Sequence, residues 1–129
     1  MRDEDTPVKV LLVEDDVDVS LMYGSQLELD QHGVTYARTA QEALDLMEEA
    51  GFDVVVLDIL LPGSNGIVVL QELQGYEDWR GTPVVVLSNL DIKDLGVSEN
   101  HLHDLGGKQY LVKMRTTPGD LSSAVTSAV

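Results

Sequence analysis

Residues 54–66 read VVVLDILLPGSNG: four apolar residues, one aspartate, three more apolar residues, then Pro-Gly. The opening run is short and rich in β-branched residues, and with its flanks (FDVVVLD, 52–58) it reads as a strand buried on both faces. A strand of that kind belongs inside a parallel sheet with helices on either side. It also ends in Asp58, and an unpaired carboxylate is expensive to bury. The aspartate therefore has a structural or a chemical purpose, and the rest of the chain must say which.

Outward from this strand, short apolar runs alternate with helical patterns. VKVLLV (8–13), VTYA (34–37), GTPVVVLS (81–88) and QYLVK (109–113) are the other strands. A helix over 16–32 carries Val19, Met22, Tyr23 and Leu27 on one face and stops at Gly33. A second begins at the capping-box pair Thr39 and Glu42, carries Ala40, Ala43, Leu44 and Met47, and ends at Gly51. A short helix over 66–74 presents Ile67, Leu70 and Leu73, and a broken helix falls in 90–106, interrupted at Gly96. Thr117-Pro118 opens a last helix to Val129. The expectation is an α/β domain with a doubly wound five-stranded parallel sheet and helices on both faces. Residues 1–7 form a disordered lead-in and 8–129 the domain.

Composition bounds the function. The 129 residues are 43% hydrophobic, enough for a single core, and contain no cysteine, which excludes disulfides, thiolate metal sites and a cysteine nucleophile. The N-terminus, MRDEDTPVKV, is not a signal peptide, and no apolar run is long enough to span a bilayer. A cytoplasmic protein without membrane insertion is expected. The formal net charge of −15 argues against direct contact with nucleic acid, whose phosphates would be repelled.

Ligands of doubly wound sheets bind at the carboxyl ends of the strands. Those ends carry Glu14-Asp15-Asp16 after the first strand, Asp58 after the third, Ser88-Asn89 after the fourth and Lys113 after the fifth. Asp16 reads as a helix cap. The remaining carboxylates, gathered at one edge, repel each other by roughly 4 kcal/mol per pair at 4 Å and an effective dielectric near 20, and so call for a cation. Carboxylates with carbonyls and water suit Mg²⁺. A lysine and a hydroxyl nearby are what a transferred phosphoryl group needs, and Asp58, the isolated acid, is best placed to accept it as an acyl phosphate.

VLLVEDD, VVVLDILLPGSNG, PVVVLSN and YLVK, in that order, closely resemble the receiver domain of two-component response regulators, of the single-domain chemotaxis type, from about Val8 to Val129. The resemblance implies a flavodoxin-like fold with sheet order 2-1-3-4-5. It implies that Asp58 takes a phosphoryl group from a histidine kinase or histidine phosphotransfer protein. Mg²⁺, for which Mn²⁺ can substitute, would be held by Asp15, Asp58 and the carbonyl of Leu60, with Glu14 acting through water. Lys113 would bind the phosphoryl oxygens, while Ser88 and Tyr110 would form the switch. The face built from the helix after the fourth strand, the fifth strand and the last helix would then change its preference for a downstream protein partner. Such a domain catalyses its own phosphorylation and dephosphorylation without turning over a separate substrate.

Three features depart from that pattern. Met114 follows Lys113 where the family usually has a proline supporting a cis peptide, so the chain either holds a cis bond without proline or seats Lys113 differently. Asn89 replaces the usual small residue after the switch hydroxyl, and Leu60 and Leu90 flank the phosphoryl site, which predicts hindered water attack and a long-lived phosphoaspartate. The stretch from Ser88 to Lys113 also runs longer than the norm. A pseudo-receiver, binding partners independently of phosphorylation, is the alternative reading. A haloacid-dehalogenase-type phosphatase would want a second acid two residues past Asp58, where Leu60 stands. His101 and His103, two apart, do not share a helix face and are not read as a metal site.

Overall fold

The computed structural model describes residues 7–61, 64–89, 100, 104 and 107–129. Five strands, β1 (Lys9–Val13), β2 (Gly33–Ala37), β3 (Val54–Leu57), β4 (Val84–Ser88) and β5 (Gly107–Val112), form one sheet in the order β2-β1-β3-β4-β5. Every neighbouring pair is parallel. Helices α1 (Val17–Leu29), α2 (Ala40–Glu49), α3 (Gly66–Gly75) and α4 (Pro118–Ala128) accompany the sheet. The broken helix expected over 90–106 lies outside the described residues except at positions 100 and 104.

Alternation along the strands divides the core between the two sheet faces. Leu11, Val13, Val55, Leu57, Val84 and Val86 pack with Ala43, Met47, Ile67, Leu70 and Leu73 of α2 and α3. Val10, Leu12, Val54, Val56, Val85 and Leu87 pack with Tyr23 and Leu27 of α1 and with Leu121, Ala124 and Val125 of α4. β3 and β4 are buried along their whole length, as their unbroken apolar runs require.

The helix ends follow local chemistry, with some corrections to the sequence reading. Asp16 caps α1 by accepting from the Asp18 and Val19 N–H groups at 3.0 and 3.1 Å. That helix closes at Leu29 rather than at His32, with Gln31 left-handed at φ 70°, and Gly33, read as its stop, instead opens β2. Its buried stripe is Ser20, Tyr23, Gly24 and Leu27, so Met22 stays 48% exposed. Gly24 is there because the Tyr36 ring of β2 occupies the space of a Cβ. At α2, Thr39 accepts from the Glu42 N–H as expected, but the Glu42 carboxylate reaches the Arg38 N–H instead of that of Thr39. α4 opens with a complete capping box, Thr117 with Asp120, and Pro118 in its first turn. The hydrogen bond from the Thr117 N–H, at 3.0 Å, holds the Asp120 carboxyl below its usual range.

Candidate functional site

Strand register gathers the polar residues. Val13 pairs with Leu57 across β1 and β3, so Glu14 and Asp58, one step further on, emerge side by side. Their backbones stay tied to the sheet, with Glu14 N–H donating to Ala37 at 2.9 Å and Asp58 N–H to Val13 at 3.0 Å. Ser88 closes β4 opposite Val112 of β5, which delivers Lys113 to the same edge. Sequence reasoning extended β5 through Lys113; the strand ends at Val112, and residues 113–115 form a 3₁₀ turn.

Four of the expected residues converge closely. One carboxylate oxygen from each of Glu14, Asp15 and Asp58 lies within 4.8 Å of the others. The Lys113 ammonium stands between two of them, with Nζ 2.6 Å from Glu14 Oε2 and 2.7 Å from Asp58 Oδ2. Glu14 and Asp58 are buried, at 3% and 4% exposure, while Asp15 is more open to solvent. Glu14 also accepts from the Asp16 N–H at 3.2 Å. Burial raises the Glu14 carboxyl above its ordinary value; Lys113 opposes that shift and the Asp58 charge adds to it. Burial alone would lower the Lys113 ammonium, but its hydrogen bonds to Asp58 and Glu14 outweigh this and hold it above the ordinary lysine value. The lysine therefore remains a cation and neutralises part of the acidic cluster.

Ser88 is fully buried at the end of β4. Tyr110 pairs with Val86 on the sheet and packs, half-buried, against the core beneath α2 and α3. Leu60 begins a two-residue antiparallel ladder, pairing with Asn65, and Gly66 follows it at the start of α3. The Gly66 N–H donates to the Ile59 carbonyl at 2.7 Å, and a Cβ at Gly66 would lie 2.6 Å from the Asp58 carbonyl oxygen. That glycine lets the chain turn back directly behind Asp58. Leu90 lies outside the described residues.

The Lys113–Met114 peptide is trans, as are all described peptides, and Lys113 reaches the carboxylates nonetheless. Two supports of this turn were missed in the sequence. The Tyr23 hydroxyl, read there only as part of an apolar stripe, donates to the Thr116 carbonyl at 2.8 Å. Asn89 Oδ1 accepts from the Met114 N–H at 3.2 Å. Tyr23 and Thr116 are 93 positions apart, so no local pattern could have announced their bond.

The chemistry of the donor set fits Mg²⁺: hard carboxylate oxygens, close together, with the Lys113 ammonium beside them. Among the described residues, no helix is long and apolar enough to cross a membrane.

Comparison with known proteins agrees with the geometry. The sequence matches the response regulator receiver domain family over residues 10–126. It is 34% identical over 109 residues to the transcriptional regulatory protein CpxR of Escherichia coli, covering 81% of this chain and 42% of that protein. It is 32% identical over 107 residues to the uncharacterized transcriptional regulatory protein YkoG of Bacillus subtilis, covering 81% of this chain and 43% of that one. The chain thus spans less than half the length of these curated relatives. Among solved structures, the chemotaxis response regulator CheY4 of Vibrio cholerae superposes with a TM-score of 0.84 at 23% identity, covering 96% of this chain and all of that one. The Francisella response regulator 1452 receiver domain gives 0.79 at 29% identity over 94% of this chain and 95% of that one. With its parallel sheet in the order 2-1-3-4-5 and its acidic edge, the chain belongs to the response regulator receiver domains of two-component signalling.

Proposed function

We propose that this domain is a phosphoacceptor switch in which Asp58 takes a phosphoryl group from a phosphohistidine donor, a histidine kinase or histidine phosphotransfer protein. The observation that carries the reading is the Lys113 ammonium bridging Glu14 and Asp58 inside a three-carboxylate cluster at the sheet edge. An Asp58 carboxylate oxygen forms the new O–P bond as the P–N bond to the donor imidazole breaks, and the imidazole keeps the electron pair and takes up a proton. Lys113, anchored on the sheet, supplies positive charge beside the acceptor where the phosphoryl oxygens arrive. Ser88, buried next to β3, is the hydroxyl that engages the phosphoryl group, and Tyr110 follows it inward.

Asp15, Asp58 and the Leu60 carbonyl would hold Mg²⁺, with Glu14 acting through water. When bound, the ion offsets the charge shared by the acceptor carboxylate and the phosphoryl oxygens. The acidic chain passes its state to a protein surface rather than to nucleic acid, through the face around β5 and α4.

Acetyl phosphate or phosphoramidate, with and without Mg²⁺ and read by intact mass, tests this. The expected result is a metal-dependent gain of one phosphoryl group that Asp58→Asn abolishes. No gain by the folded wild-type protein in saturating Mg²⁺ would overturn the reading in favour of a phosphorylation-independent binding module.

A further inference from the structure

The turn that carries Lys113 is short, and its first N–H groups have no partner within it. Its own flanking residue, Val112, offers no side-chain acceptor. On the C-terminal side the turn is well held: Thr116 Oγ1 donates to the Val112 carbonyl at 2.8 Å, Thr116 N–H to the Lys113 carbonyl at 3.2 Å, and the Tyr23 hydroxyl to the Thr116 carbonyl. These bonds engage the turn's carbonyls and its far end. The N–H immediately after the lysine is held from elsewhere, by Asn89 Oδ1 at the end of β4.

We propose that Asn89 is a positioning residue for Lys113, capping the lysine turn across the sheet through its bond to the Met114 N–H. This inference rests on the phosphoacceptor reading. Asn89 directly follows Ser88 and Met114 directly follows Lys113, so one hydrogen bond joins the strand ends bearing the hydroxyl and the ammonium. Met114 itself is 85% exposed, so its side chain contributes little anchorage and the backbone bond holds this end of the turn. Two of the positions at which this chain departs from the usual receiver pattern are thus each other's partners. An N–H where proline is customary acquires an acceptor where a small residue is customary.

The test combines Asn89→Ala, Met114→Pro and the double variant, each assayed for phosphorylation rate with acetyl phosphate, for Mg²⁺ affinity, and for amide exchange. Asn89→Ala is expected to slow phosphorylation at saturating donor and Mg²⁺ roughly tenfold, since small misplacements of a charge-stabilising group are costly. Mg²⁺ affinity should stay within about twofold, because the Asn89 amide oxygen is engaged at the Met114 N–H. Protection of the Met114 amide should be present in the wild type and lost in Asn89→Ala. Within the Met114→Pro background, where no N–H remains, Asn89→Ala should change nothing further. A wild-type rate in Asn89→Ala, or an equal slowing in both backgrounds, would overturn the proposal. If the wild type gains no phosphoryl group, the phosphoacceptor reading fails instead. The Met114 amide then still decides whether Asn89 holds the turn: unchanged exchange in Asn89→Ala would rule it out even if Met114→Pro does not fold.

Discussion

At the scale of single residues, the site is a balance of charges taken out of water. Glu14 is held above its ordinary carboxyl range, so between that range and its raised value the folded chain binds more protons than the unfolded one. Stability therefore falls as pH rises through this window. Lys113 limits the loss by pulling Glu14 back down. Lys113→Ala leaves Glu14 and Asp58 facing each other without the ammonium and should cost roughly 1–3 kcal/mol near pH 7.5. The cost should shrink at pH 5, nearer the window in which the raised Glu14 carboxyl takes up protons. Urea denaturation at the two pH values checks this, and an equal loss at both would contradict it. The sequence made Glu14, Asp15, Asp58 and Lys113 legible because each lies within two residues of the end of an apolar strand, where side chains leave the core. Asn89 and Tyr23 were not legible in these roles. Their bonds depend on how a turn settles against a neighbouring strand or helix, and no periodicity records that.

At the scale of elements, most boundaries were readable from caps and apolar runs, and the misreadings have local causes. α1 stops early because Gln31 takes up the left-handed conformation, a choice no composition rule favours in a residue with a Cβ. β5 stops before Lys113 because Lys113 enters a turn, which the apolar pattern of QYLVK does not distinguish from one more strand residue. The link between β3 and α3 is tightly constrained where it enters the helix at Gly66. A methyl group on Gly66 would meet backbone atoms, the Asp58 carbonyl oxygen at 2.6 Å and Ile59 Cα at 2.7 Å. Backbone cannot swing aside as a side-chain tip can, so Gly66→Ala should destabilise the fold by about 1–3 kcal/mol. It should also slow labelling of Asp58, because the shift falls on the residue that presents the acceptor. Thermal unfolding with intact-mass labelling would check both. A stable variant labelled at the wild-type rate would show that the turn has more room than its geometry indicates.

At the scale of the whole molecule, a net charge of −15 strains the compact state through self-repulsion. Sodium chloride should raise the melting temperature by screening that repulsion, in wild type and Asp58→Asn alike. Millimolar Mg²⁺ at matched ionic strength should add stability in the wild type, about 2.7 kcal/mol when the ion stands at a hundred times its dissociation constant, and much less in Asp58→Asn. Equal Mg²⁺ effects in the two proteins would mean that the ion acts on surface charge alone.

The division of the core between two faces also shapes how the chain comes into being. The neighbours β2, β1 and β3 are all complete by Leu57, and α2, which with α3 covers one side of them, precedes it. The opposite side, with Val10, Leu12, Val54 and Val56, is closed in part by Leu121, Ala124 and Val125 of α4. A chain emerging from the ribosome at about 5–20 residues per second thus carries a partly covered sheet for several seconds before α4 arrives. Nascent chains halted before residue 118 should leave that oily side open to chaperones, and release of the final turns of α4 is the step that lets the domain close.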